Sequence, residues 1–125
     1  MDLSGKLLIA MPDMKDPRFS SAVIFVCSHS DSGAMGLTIN KPSRDYKFRD
    51  LLKQLKIETD SLTPDVSVSI GGPVESGRGF VLHSSEYSLG DETLKIGSNF
   101  GMTASFEVLE ELAKREGPKS GILML

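Results

Sequence analysis

Two residues apart, Cys27 and His29 bring a thiol and an imidazole into one short stretch of chain. On an extended strand, side chains two apart face the same way, so the pair could serve as a nucleophile and its base. Against that, Cys27 closes the apolar run Ala22-Val23-Ile24-Phe25-Val26-Cys27. A thiol buried among hydrocarbon has a raised pKa and is inert. Core packing is the favoured reading, and no catalytic residue is assigned. The only other histidine is His83; together with His29 and an acid such as Asp31 or Glu75 it could ligate a metal. Nothing in the spacing demands one, and a histidine that hydrogen-bonds a turn at a strand end is the simpler role. No metal and no cofactor are expected.

Residues 72–79 read Gly-Pro-Val-Glu-Ser-Gly-Arg-Gly, a near miss to a phosphate-binding loop. Arg78-Gly79 stands where lysine and a hydroxyl residue would reach phosphate and Mg²⁺. A strand pattern follows where a helix should aim its N-terminus at the phosphate. The stretch reads as a turn, with anion capture by Arg78 as the minor alternative. Arg18 after Pro17, and Asn40 before Lys41-Pro42, are polar groups at strand ends, and turn chemistry accounts for both. The sharper reading is a small pocket where Arg18, His29, Asn40, Arg78 and His83 converge on an anionic small molecule.

The elements that would position these residues are mostly short strands. Residues 7–11 form an apolar run stopped by Pro12, and residues 12–17 are a loop bounded by two prolines. Residues 22–27 read as a strand buried on both faces, and 34–39 as its antiparallel partner across a turn at 29–33. Phe48, Leu51, Leu52 and Leu55 recur at helical spacing and predict a first helix. Residues 66–70 alternate apolar and polar, as a half-buried strand does. Residues 80–83 and 93–96 are further strands, and a second helix is expected near 103–116, capped by Thr103 or Ser105 and stopped by Gly117-Pro118. The chain closes on Gly-Ile-Leu-Met-Leu at 121–125, an apolar strand where termini are usually polar. Either this strand pairs deep in a sheet or the natural chain continues.

Composition bounds the rest. A chain of 125 residues makes one domain, burying roughly two-thirds of its unfolded surface. Hydrophobic residues at 39% and charged residues at 25% are an ordinary globular balance. Net charge is −3 and the pI about 5.3, which disfavours a general nucleic-acid binder. Six basic residues between Lys41 and Lys56 (Lys41, Arg44, Lys47, Arg49, Lys53 and Lys56) face only Asp45 and Asp50. They lack a zinc finger or helix-turn-helix frame and read as a solvated helix face, so direct DNA binding has weak support. One cysteine excludes an intrachain disulfide. No apolar stretch approaches the ~20 residues of a membrane span, and no secretory leader is recognisable, so the cytoplasm is expected.

Several blocks resemble the YqgE/AlgH family. They are residues 3–12 (Leu-Ser-Gly-Lys-Leu-Leu-Ile-Ala-Met-Pro), Asp16-Pro17-Arg18-Phe19, residues 29–37 with Asn40-Lys41-Pro42, Gly71-Gly72-Pro73-Val74 and Arg78-Gly79-Phe80-Val81-Leu82-His83. The helix from Ala104-Ser105 to Gly117-Pro118 matches as well. The resemblance runs the length of the chain. It implies a compact α+β fold, a bacterial cytosolic protein and the family's usual label of transcriptional regulator. The family continues past residues 122–125 into a Gly-Tyr-Ala-Gly-Trp stretch, so the resemblance implies a chain truncated at its C-terminus.

The expectation is a single α+β domain over residues 1–125, with a mostly antiparallel sheet, open or barrel-like, and two or more packed helices. Its function is non-enzymatic binding or regulation, with a small anionic ligand or a protein as partner and no membrane. The alternatives are a small hydrolase or transferase using Cys27, His29 or His83, and an interaction module that pairs an exposed strand edge.

Overall fold

The computed structural model describes residues 2–70 and 80–125. Eight strands and two helices follow in the order β1 (Leu7–Ile9), β2 (Val23–Ser30), β3 (Gly33–Thr38), α1 (Phe48–Gln54), β4 (Ser67–Ser69), β5 (Phe80–Ser84), β6 (Thr93–Ile96), β7 (Phe100–Thr103), α2 (Phe106–Ala113) and β8 (Gly121–Met124). They form a three-stranded antiparallel sheet, β1-β2-β3, and a five-stranded sheet, β4-β8-β5-β7-β6. The second is antiparallel except for the parallel pair β4 and β8. This is the expected α+β class. Neither sheet closes on itself among the described residues, and one antiparallel bridge from Pro42 to Ser69 links them. No helix among the described residues is long and apolar enough to cross a membrane.

Period-two alternation sorts the core into two layers. On β5 and β8, Leu82 and Met124 turn toward the small sheet and pack with Phe25, Cys27 and Leu37. Their neighbours Val81 and Leu123 turn the other way and pack with Phe48, Leu52, Val108 and Leu112 from the helices. The five-stranded sheet is therefore the middle layer, with the small sheet on one face and both helices on the other. The apolar C-terminal stretch is β8, inserted between β4 and β5, which explains why it carries no polar face.

Local chemistry sets the boundaries. Ser105 caps α2, its Oγ accepting the Glu107 N–H at 3.1 Å. Thr103, the other expected cap, instead ends β7. That strand escaped sequence reading because Phe100-Gly101-Met102-Thr103 is too poor in β-branched residues to signal one. Gly97, at φ +60°, makes the left-handed turn between β6 and β7. In β4 the alternation breaks at its end: Ser69 is buried and Ile70 exposed. The Ser69 hydroxyl meets the Thr38 and Lys41 carbonyls at 3.3 and 3.0 Å, so it is satisfied where it is buried.

Candidate functional site

A groove of about 590 Å³ lies where β3 leaves the small sheet, lined by Pro17, Arg18, Thr38, Asn40, Lys41, Pro42, Arg44 and Ile70. Two proline-bounded loops build it, residues 16–19 on one side and 40–44 on the other. Pro17 opens the turn that precedes β2, and Pro42 follows β3 and bridges to Ser69. Arg18 is fixed by Asp16 from the same turn: Nη2 donates to Oδ2 at 2.7 Å and Nε to Oδ1 at 3.1 Å. The guanidinium also sits 5.3 Å from the centre of the Phe19 ring. That hydrogen bond holds the Asp16 carboxyl below its ordinary pKa and the guanidinium above its own. Arg18 nevertheless keeps 78% of its side chain in water. Lys41 donates to the Ser20 carbonyl at 2.9 Å, leaving two N–H groups over. Arg44 makes no hydrogen bond among the described residues. Three cations and one carboxylate thus meet beside an apolar wall of Pro17, Pro42 and Ile70.

Asn40 is a brace within this groove. Its Oδ1 accepts the Val23 N–H at 2.9 Å and its Nδ2 donates to the Ser21 carbonyl at 2.8 Å. Ser21 sits at φ +57°, a left-handed conformation a non-glycine residue adopts at a cost. The Asn40 amide clasps that strained corner and so fixes the start of β2 against the end of β3.

The two histidines lie elsewhere. Asn40 grips β2 at Val23; His29 is six residues along, about 20 Å away at ~3.3 Å per residue. There its Nδ1 accepts the Leu3 N–H at 2.9 Å and ties down the N-terminal segment. His83 is buried on the helix side of β5, with 2% of its surface exposed. Its Nδ1 lies 2.8 Å from the Ser84 carbonyl and its Nε2 lies 2.7 Å from Thr103 Oγ1. A carbonyl only accepts, so Nδ1–H donates to Ser84, and in the Nδ1–H tautomer Nε2 accepts from the Thr103 hydroxyl. Thr103 then accepts from Thr93 at 2.7 Å, and Thr93 accepts the Leu89 N–H at 2.8 Å. Every member of this string is satisfied. Gly101 makes room for the ring, since a Cβ there would lie 2.6 Å from His83 Cε1. The structure therefore brings Arg18 and Asn40 together and separates His29 and His83 from them. Arg78 and residues 72–79 lie outside the described residues.

Cys27 and His29 do not form a pair. The β2–β3 register shifts between Val26 and Ser28, so Cys27 is an extra, bulged residue. Beyond the bulge Ser28 faces Met35 and His29 faces Ala34, which inverts the alternation and sends the imidazole to the opposite face from the thiol. The thiol packs in the core, where burial pushes its pKa up to about 11. Among the described residues no group of three His, Cys, Asp or Glu side chains could hold a metal.

Of the groove's cations, Lys41 and Arg44 were assigned by sequence to a solvated helix face, because they belong to a longer basic run. The signal that could have found them is the pair of X-Pro dipeptides, Asp16-Pro17 before β2 and Lys41-Pro42 after β3, which flank one end of that hairpin.

The family model described as AlgH-like matches residues 7–125. The chain belongs to the AlgH-like family. Among its relatives, a UPF0301 protein of Cereibacter sphaeroides is 50% identical over 125 residues, covering all of this chain and 68% of that protein. A UPF0301 protein of Jannaschia sp. is 53% identical, covering 99% of this chain and 65% of its own. The solution structure of the AlgH protein from Pseudomonas aeruginosa superposes with a TM-score of 0.75 at 39% identity over 95% of this chain. The chain spans 62% of that AlgH-like structure. A Corynebacterium diphtheriae protein at 19% identity and TM-score 0.68 shares the fold.

Proposed function

We propose that this AlgH-like chain is a non-enzymatic binding protein of regulatory type, whose ligand is a small anion held in the groove between Pro17 and Pro42. The observation that carries the reading is the meeting of Arg18, Lys41 and Arg44 around one cavity on a chain of net charge −3. Guanidinium groups bind carboxylate and phosphate through paired N–H donors, and Asp16 and Phe19 hold Arg18 in place before a ligand arrives. The Pro and Ile wall suits a ligand with an apolar portion. Regulation in this reading passes through ligand or protein contact and not through base reading. Helix α1 is only seven residues long, and its Arg49 donates to the Asp60 and Thr63 carbonyls at 2.9 and 2.8 Å, so that guanidinium is engaged in holding a loop. The same reading places the protein in the bacterial cytoplasm, with Cys27 as a reduced thiol.

The test is a backbone amide titration with inorganic phosphate, di- and tricarboxylates, and mononucleotides. Saturable shifts confined to the amides of residues 18–19, 38–41, 43–44 and 70 are expected with at least one class. The R18A/R44A variant should lose them while its other amides stay in place. Silence of these amides toward every anion, or shifts that survive the double substitution, would sink the reading.

A further inference from the structure

The three cations of the groove differ in what they have left to offer. Asp16 engages Nε of Arg18 and one hydrogen of Nη2, so three N–H groups of that guanidinium remain. Lys41 gives one hydrogen to the Ser20 carbonyl and keeps two. Arg44 keeps its full set among the described residues. An ionised carboxylate accepts at about four lone-pair sites close to one plane. Donors that reach in from two facing loops outnumber what one such group can take up. A phosphate monoester offers three strong acceptor oxygens on a tetrahedral head, which meets donors from several directions at once. Charge points the same way. Three cations and the Asp16 carboxylate leave the groove two positive charges in excess. A monoanion answers one of them and a dianion both, with a Coulombic gain for each. The cavity, at about 590 Å³, has far more room than an anionic head fills, and Pro17, Pro42 and Ile70 line it.

Granting the anion-binding role proposed above, we infer that the ligand is a small phosphate monoester in its dianionic form, with an apolar body that lies against Pro17, Pro42 and Ile70. The phosphoryl head sits between Arg18 on one loop and Lys41 with Arg44 on the other. Phosphodiesters and sulfate esters, which carry one negative charge, are the anions this groove discriminates against. Arg44 completes the charge match, since without it the excess falls to one and the preference for a dianion falls with it. The groove's own charge is constant through the window in which such a ligand titrates. Its charged side chains are Asp16, Arg18, Lys41 and Arg44, and Thr38 and Ile70 bring none. Arg18 holds the Asp16 carboxyl below the ordinary carboxylate range, and lysine and arginine are cationic across neutral pH. Neither histidine lines the cavity. A pH dependence of binding between about pH 5 and 8 therefore belongs to the ligand, whose second ionisation falls near pH 6.

The test sets phenyl phosphate against phenyl sulfate, which has the same shape and three terminal oxygens but one negative charge throughout. Occupancy is read from the amides of residues 18–19, 38–41, 43–44 and 70. At about pH 7.5 phenyl phosphate should bind at least about tenfold more tightly than phenyl sulfate or benzoate. Between about pH 7.5 and pH 5 its dianionic share falls from about 97% to about 9%, so its affinity should drop about tenfold while that of phenyl sulfate stays level. R44Q should weaken phenyl phosphate and narrow its lead over phenyl sulfate, with amides outside the groove in place. Inorganic phosphate, which leaves the apolar wall uncovered, should bind more weakly than phenyl phosphate. Equal affinity for the sulfate and phosphate esters, or a phosphate affinity flat with pH, would overturn the dianion assignment and leave an anion site standing. Inorganic phosphate binding as tightly as phenyl phosphate would overturn the apolar body. A phosphoserine peptide that binds more tightly than phenyl phosphate would move the ligand to a protein and overturn the small-molecule assignment. If no anion shifts these amides, the site and its assignment fall together.

Discussion

Replacing Thr103 with valine keeps the side chain's shape and removes one hydroxyl from the string that runs Leu89, Thr93, Thr103, His83, Ser84. Thr103 is fully buried, so water cannot stand in for the lost group. Two partners are orphaned: His83 Nε2 loses its donor and the Thr93 hydroxyl loses its acceptor. A buried polar group left unpaired costs about 1–3 kcal/mol, and two that can partly relax together cost about 2–4 kcal/mol. With a urea m-value of about 2 kcal/mol per molar, the unfolding midpoint should fall by about 1–2 M with m unchanged. T103S keeps the hydroxyl and should lose about 1 kcal/mol for the missing methyl alone. The nitrogen-15 resonances of His83 should show the Nδ1-protonated tautomer in the unaltered chain. If T103V lowers stability by less than about 0.5 kcal/mol, or if T103S costs as much as T103V, the hydrogen-bond string as drawn is wrong.

Cys27 should resist thiol reagents in the folded chain. With its pKa pushed up to about 11, only about one thiol in a thousand is ionised at pH 8, and labelling should run at least about 100-fold slower than for a free cysteine until denaturant is added. The same shift has a sign for stability. The folded value lies above the unfolded 9.0, so this contribution is whole below pH 9 and drains away as pH rises toward 11, which a stability series across that window would read. Gly101→Ala should cost about 1–3 kcal/mol, because its Cβ would lie 2.6 Å from His83 Cε1 and 3.2 Å from Thr93 Cγ2; a neutral effect in thermal melts would show that the imidazole is not seated against the β7 backbone.

How much of this was legible in the sequence depends on the range of the interaction. The β2–β3 hairpin was readable because its apolar run and its turn are local. The second helix was readable because Ser105 and Gly117-Pro118 mark its ends. The place of β8 was legible only as an oddity: an apolar end implies burial, while its insertion between β4 and β5 is set by pairings with strands about 40 and 55 residues earlier. The two-layer core has the same origin, since alternation on β5 says that two faces are buried and not what covers each.

The candidate site shows the limit from the other side. Proximity in the chain suggested that Cys27 and His29 share a face, and a single bulged residue was enough to part them. Polar residues at strand ends suggested one pocket, yet strands have two ends and sheets two faces, so Arg18 and Asn40 met while His29 and His83 went elsewhere. What survived is what local chemistry enforces: X-Pro turns that flank the start of β2 and the end of β3 place their neighbours at one end of that hairpin, where cations drawn from distant turns can gather. Asn40 shows why such a residue need not touch a ligand to matter. Its amide is occupied with Val23 and Ser21, and through them it fixes the corner on which the groove's two loops depend. Removing that amide should disturb anion capture by moving Arg18 relative to Lys41 and Arg44, even though none of its own hydrogen bonds points into the cavity.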